Sequence, residues 1–80
     1  MIRPIQSRMA RAALGWSLQD LAREADLGIA TVSRFEVGTA ATNRTTLSRI
    51  RRTFEAAGMR FLENGCVCPP SGPEEQNEAA

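Results

Sequence analysis

Arg34 is the residue best placed to do chemistry in this 80-residue chain. It stands in the segment Ile29-Ala30-Thr31-Val32-Ser33-Arg34-Phe35-Glu36-Val37, which reads as one short helix. At about 100° per residue, Val32 and Phe35 share the side that must be buried. Ala30, Ser33 and Arg34 then point the opposite way, with Ile29 and Thr31 on the flanks. An arginine on an outward helix face can donate two parallel hydrogen bonds, to a phosphate or to O6 and N7 of a guanine. Ser33 and Thr31 can bond a base edge or a phosphate, and Ile29 and Ala30 can touch thymine methyl groups. The bland alternative is a solvated face with an ordinary arginine, so the context has to decide.

Other chemistries find little support. Cys66-Val67-Cys68 supplies two thiols, but the chain has no histidine and no further cysteine to complete a tetrahedral zinc site. An intersubunit cluster or a redox switch is the lesser reading of this pair, and two ordinary reduced thiols the greater. Thr31, Ser33 and Ser48 have no histidine to act as base, so nucleophilic catalysis is not expected. Neither a metal nor a cofactor is expected, and the chain reads as a non-enzyme.

Charge supports an anionic partner. Residues 1–60 carry all ten basic residues and five acidic ones, while residues 61–80 carry four glutamates and no base. Every base is arginine, which suits bidentate contacts, although genome composition alone can produce that bias. No apolar run approaches the ~20 residues of a membrane span. The start, Met1-Ile2-Arg3-Pro4, lacks a secretory leader's apolar core. A cytoplasmic location without membrane contact is the expectation.

The elements that must position Arg34 are legible in the punctuation. A first helix is predicted from about Pro4, a residue suited to the first helical turn, to Leu14, with Gly15 ending it. Ile5, Met9, Ala12, Ala13 and Trp16 recur along it as one apolar stripe. Ser17 and Asp20 form a capping box for a second helix that buries Leu18, Leu21, Ala22 and Ala25. Asp26-Leu27-Gly28 is too short for a linker: Asp26 tolerates left-handed backbone, Leu27 can point inward, and Gly28 permits a sharp restart. The third helix then runs from Ile29 to Val37 and stops at Gly38. After a polar loop, Thr42 or Asn43 can cap a fourth helix with Leu47, Ile50, Phe54 and Ala57 as its core stripe, ended by Gly58. Asn64-Gly65 is the favoured pair for a two-residue hairpin turn between Met59–Leu62 and Cys66–Cys68. From Pro69 onward the chain is proline-rich and acidic, and reads as a disordered tail.

Two helices joined by a three-residue break, with a basic outward face on the second, have the pattern of a helix-turn-helix. Over about residues 5–57 the chain resembles the Cro/C1-type helix-turn-helix (XRE) family, on Arg11, Leu21-Ala22, Val32-Ser33-Arg34-Phe35-Glu36 and Gly38. The segment Gly58 to Gly65 further resembles a C-terminal extension of short bacterial members. The resemblance implies an all-α, lambda-repressor-like bundle of four or five helices, here with a short C-terminal β-hairpin or strand. Residues 1–68 form the domain, 18–37 the helix-turn-helix, and 69–80 the tail.

By position, the resemblance implies base-reading sites at Ile29, Ala30 and Arg34, joined by Ser33 from the geometry above. It implies phosphate-binding sites from Ser17 to Gln19 and from Thr39 to Arg44; with Thr31 added from the geometry above, Ser17, Gln19, Thr31, Thr39, Asn43 and Arg44 are the candidates. It also implies a structural ion pair between Arg11 and Glu36. Three departures stand out. Leu18 occupies a place where glutamine is usual, Asp26 one where glycine is usual, and Gly28 one where serine is usual. With Ile29 and Ala30 unable to donate hydrogen bonds, readout rests on one arginine, which points to reliance on dimerisation or DNA shape.

The function expected is a sequence-specific DNA-binding transcriptional regulator, in the simplest case a repressor, binding double-stranded DNA as a homodimer with its third helix in the major groove. The alternative is an antitoxin or other protein-interaction module, in which the C-terminal hairpin or tail holds a protein partner and DNA binding is secondary.

Overall fold

Local capping chemistry cuts the chain into its elements. The computed structural model describes residues 1–38 and 41–69, and contains four helices and a small sheet. The helices are α1 (Pro4–Leu14), α2 (Leu18–Ala25), α3 (Ile29–Val37) and α4 (Arg44–Ala56). Strands β1 (Arg60–Phe61) and β2 (Val67–Cys68) pair antiparallel, with Arg60 opposite Cys68 and Phe61 opposite Val67. All four helices stand where sequence patterning expects them. The acidic tail beyond Pro69, and the loop residue Thr39, lie outside the described residues.

Each boundary has a local cause. Gly15, at φ 69°, ends α1 in the left-handed region. Ser17 Oγ accepts from the Asp20 N–H at 3.0 Å, and Asp20 Oδ2 accepts from the Ser17 N–H at 2.9 Å, closing the box that starts α2. These bonds, first that from the Ser17 backbone and then that from Arg23, hold the Asp20 carboxyl below its ordinary value. Asp26 ends α2 at φ 58°, ψ 48°, a conformation that a β-carbon disfavours. Asn43 Oδ1 accepts from the Thr46 N–H at 2.8 Å and starts α4. Gly28 differs from expectation. It sits at φ −71°, ψ 145°, which any residue adopts, and a β-carbon there meets nothing closer than Thr31 Oγ1 at 3.9 Å. The sharp restart comes from Asp26, and α3 begins without a side-chain cap.

Leu21, Val32, Ile50, Phe54 and Met59 form the centre of the core, one or more from α2, α3, α4 and the segment entering β1. Trp16 stacks on Phe54 with ring centroids 5.7 Å apart, and Phe61 is tilted against Phe54 at 6.2 Å. The hairpin is held by this Phe61 contact, by Val67 on the core, and by a bond from Gln6 Nε2 to the Gly65 carbonyl at 3.2 Å. Its turn is longer than the two-residue form expected for Asn64-Gly65. The Leu62 N–H donates to the Cys66 carbonyl and the Gly65 N–H to the Leu62 carbonyl, leaving a three-residue loop with only Gly65 at positive φ. A two-residue turn of the type Asn-Gly favours needs positive φ at both residues, and Asn64 does not supply it.

The largest departure lies on α1. The stripe of Ile5, Met9, Ala12 and Ala13 faces outward, with Ile5 50% and Met9 41% exposed. The side turned to the bundle carries Gln6, Ser7 and Ala10 instead, all buried. Gln6 is satisfied there by the Gly65 carbonyl and the Arg3 N–H, and Ser7 by a buried acid. Glu36, 4% exposed, accepts from Ser7 Oγ, from Arg11 Nε at 2.9 Å and from Arg11 Nη2 at 2.7 Å. Arg11 also reaches the Trp16 carbonyl, and Arg8 donates to the Glu36 carbonyl. The Glu36 carboxylate raises the Arg11 pKa further, keeping the guanidinium charged.

Removing one partner strands the other charge in a largely dry site. Glu36→Met and Arg11→Met are each expected to lower the unfolding free energy by about 3 kcal/mol. The double variant should lose clearly less than the sum of the two, and additive losses in urea denaturation would contradict the coupling. At the uncapped start of α3, Gly28→Ser is expected to raise the midpoint of thermal unfolding, because the hydroxyl can accept from the Thr31 N–H without a clash. A lowered midpoint would show that glycine is needed there.

Candidate nucleic-acid interface

The short turn and the buried face of α3 together decide which side chains of that helix reach solvent. Asp26 in left-handed backbone reverses the chain after α2, and Leu27 tucks partly into the core. Val32, Phe35 and Glu36 then anchor α3 inward. Ile29 at 49% exposure, Ala30 and Arg34 are left outward, while Thr31 and Ser33 are half-buried on the flanks. The five outward or flanking residues singled out in the sequence therefore occupy one continuous side of one helix.

Arg34 stands at the edge of a cleft of about 340 Å³ that it lines with Leu27, Thr31, Thr42, Asn43 and Thr46, and with Ala41. The cleft joins the C-terminal half of α3 to the start of α4, so Arg34, Thr31 and Asn43 are brought together. Among the described residues Arg34 takes part in no salt bridge, whereas Arg11, Arg23, Arg49 and Arg51 each pair with a carboxylate. Its guanidinium is thus available to a ligand, and an arginine beside the hydroxyls of Thr31, Thr42 and Thr46 suits an anionic backbone next to a base edge. Asn43 already spends its side-chain oxygen on the α4 cap, which leaves the amide N–H₂ to donate outward. Arg44, exposed, follows it as the first residue of α4.

At the other end of the helix pair, Ser17 and Gln19 are exposed at the start of α2. Ser17 Oγ accepts from Asp20 and keeps its own proton to donate. The Asp20 carboxylate in the same turn opposes an anion there, although Arg23 partly neutralises it across 2.9 Å. This end is electrostatically weaker than the Arg34 cleft. Thr39 lies outside the described residues.

Sequence reasoning overlooked three contributors. Thr46 lines the cleft, and its place three residues after a capping asparagine is the signal that marks it. Ser7 and Arg8 complete the Glu36 hub; neither carries a signal in the sequence, because their role depends on α1 meeting the C-terminal end of α3. Among the described residues no cluster of three or more His, Cys, Asp or Glu side chains can hold a metal ion, and no helix is long and apolar enough to cross a membrane.

The match to known families falls on this same unit. A family model described as helix-turn-helix matches residues 8–56, more than half of the chain, from the hub arginines of α1 to the end of α4. No curated protein and no solved structure matches the chain significantly. The bundle, the left-handed turn before α3 and the exposed face of that helix thus coincide with the matched segment, and the chain belongs to the Cro/C1-type helix-turn-helix (XRE) family of DNA-binding regulators.

Proposed function

We propose that the protein is a sequence-specific transcriptional repressor that inserts α3 into the major groove of double-stranded DNA and acts as a homodimer. The exposed Arg34, unpaired among the described residues and set on the outward face of α3, carries this reading. Its fork matches O6 and N7 of guanine, a contact worth about 1–3 kcal/mol of discrimination. Ile29 and Ala30, at the helix start, offer apolar contact to thymine methyls, and Ser33 a single hydroxyl. Ser17, Gln19, Thr31, Thr39, Asn43 and Arg44 fix the register through the phosphates.

One strong base contact per subunit yields little specificity, so two copies on a two-fold site are the economical solution. Occlusion of a promoter is the mechanism that asks least of residues 1–68. The glutamate-rich stretch from 69 to 80 plays no part in base reading, and the site of action is the cytoplasm.

The test is a binding titration on duplexes selected from random sequence, run across a salt series. Arg34→Ala should compress the preference for the selected site by about 5- to 150-fold while leaving non-specific binding nearly intact. Arg44→Ala should weaken all sequences alike and lower the salt slope by about one. Absence of binding at low salt, or undiminished specificity in Arg34→Ala, would overturn the proposal.

A further inference from the structure

The Arg34 cleft suits a carboxylate as well as a phosphate, and the chain carries carboxylates of its own. Among the described residues Arg3, Arg8, Arg34, Arg44, Arg52 and Arg60 take part in no salt bridge. Three of these are engaged or offset nearby: Arg8 donates to the Glu36 carbonyl, Arg3 shares a pocket with Glu63, and Arg52 shares a groove with Glu24. Arg34 stands apart from them. The residues lining its cleft include no carboxylate, while the hydroxyls of Thr31, Thr42 and Thr46 and the Asn43 amide add neutral donors. Arg44 follows Asn43 and is exposed. The acids that flank the cleft in sequence are turned elsewhere, Asp26 to within 3.9 Å of Arg49 and Glu36 onto Arg11.

The matching anions are Glu74, Glu75 and Glu78, within residues 70–80, which hold no base and lie outside the described residues. Their tether puts the cleft within reach. Counted from Cys68, the last strand residue, the three glutamates can extend by at most about 20, 23 and 33 Å. Cys68 adjoins Val67, Val67 pairs with Phe61, and the Arg51 guanidinium lies 5.4 Å from the Phe61 ring. From Arg51 the axis of α4 runs back to Asn43, at the cleft, in about 12 Å. One strand pair, one side-chain contact and little more than two helical turns therefore separate the root of the segment from the cleft. A tether this short holds the glutamates near the cleft at an effective concentration on the order of millimolar, which populates contacts that are weak and screened by salt.

We infer that the acidic segment of residues 74–78 docks in the Arg34 cleft of its own chain and must leave before DNA enters. Its carboxylates take the guanidinium fork of Arg34 and the threonine hydroxyls, the donors that a phosphate would otherwise use. This rests on the reading of the cleft as part of the DNA-binding face and adds a regulation to it. Every duplex has to displace the same segment, so all sequences are bound more weakly by one factor and the preference of Arg34 for guanine is unchanged.

A nitroxide on Asn77→Cys, in the full chain carrying Cys66→Ser and Cys68→Ser, tests the contact without DNA. At low salt it should broaden the amide resonances of Thr31, Arg34, Asn43 and Thr46, and the effect should vanish at ~1 M salt, where charges are screened within about 3 Å. Glu74→Gln/Glu75→Gln/Glu78→Gln should remove the broadening and tighten binding to any duplex by about 5-fold at low salt. Broadening confined to β1 and β2, where the segment leaves the domain, would overturn the inference. So would broadening of an isotope-labelled chain by a separate spin-labelled copy, which places the contact between chains. Tighter DNA binding by the glutamine variant without broadening at the cleft would reduce the segment to long-range repulsion, a third contradicting result. A chain that binds no DNA in either form, with its cleft still broadened, would overturn the function proposed above and spare the docking.

Discussion

A single buried carboxylate at the C-terminal end of α3 organises this small bundle. Glu36 takes two hydrogen bonds from Arg11 and one from Ser7, while Arg8 reaches its backbone carbonyl. A carboxylate as buried as this is costly unless it is hydrogen-bonded, and α1 supplies its donors from Ser7 and Arg11, one turn apart on the same face. Much else follows from that demand. The inner side of α1 must carry Ser7 and Arg11 in place of apolar residues, its end is tied to Trp16 through Arg11, and Trp16 stacks on Phe54 in the core. The hub therefore fixes the C-terminal end of α3, and the Asp26 turn fixes the other end. Between them the helix has little freedom to change which face it shows.

That arrangement separates architecture from recognition along one helix. Val32, Phe35 and Glu36 are spent on the interior, and Ile29, Ala30 and Arg34 remain for a ligand. The proposed reading surface is lean, with one long cation, the apolar Ile29 and Ala30, and flanking hydroxyls. Such a surface is positioned well before it is specific. Phosphate contacts around the Arg34 cleft can set the register, and the sequence discrimination that one arginine cannot supply has to come from a second subunit or from the shape of the duplex.

Helix boundaries were legible because they depend on single residues: Pro4, Gly15, Ser17 with Asp20, Asp26, Gly38 and Asn43 each act locally. The outward position of Arg34 was legible too, since Val32 and Phe35 leave it one side of a short helix. The orientation of α1 was not. Periodicity weighs apolar residues alone, and Ile5, Met9, Ala12 and Ala13 make the more regular stripe. The inner face was decided by a polar partner 25 to 29 residues away in sequence, which no window over α1 contains. The hairpin turn failed for a similar reason. Asn64-Gly65 favours a two-residue loop in isolation, but the Phe61 and Val67 contacts with the core set the register and leave three residues to close it.

Insertion of the Arg34 face of α3 into the major groove is open to a direct chemical test. Methylation interference on a selected duplex addresses it directly, because methylating guanine N7 alters the major-groove edge that an arginine would grip, while a minor-groove ligand such as distamycin occupies the opposite side. With Arg34 on a guanine edge, N7-methylguanine at one position of each half-site should abolish binding, and a minor-groove ligand should leave it intact. Binding that ignores guanine methylation and yields to the minor-groove ligand would contradict it.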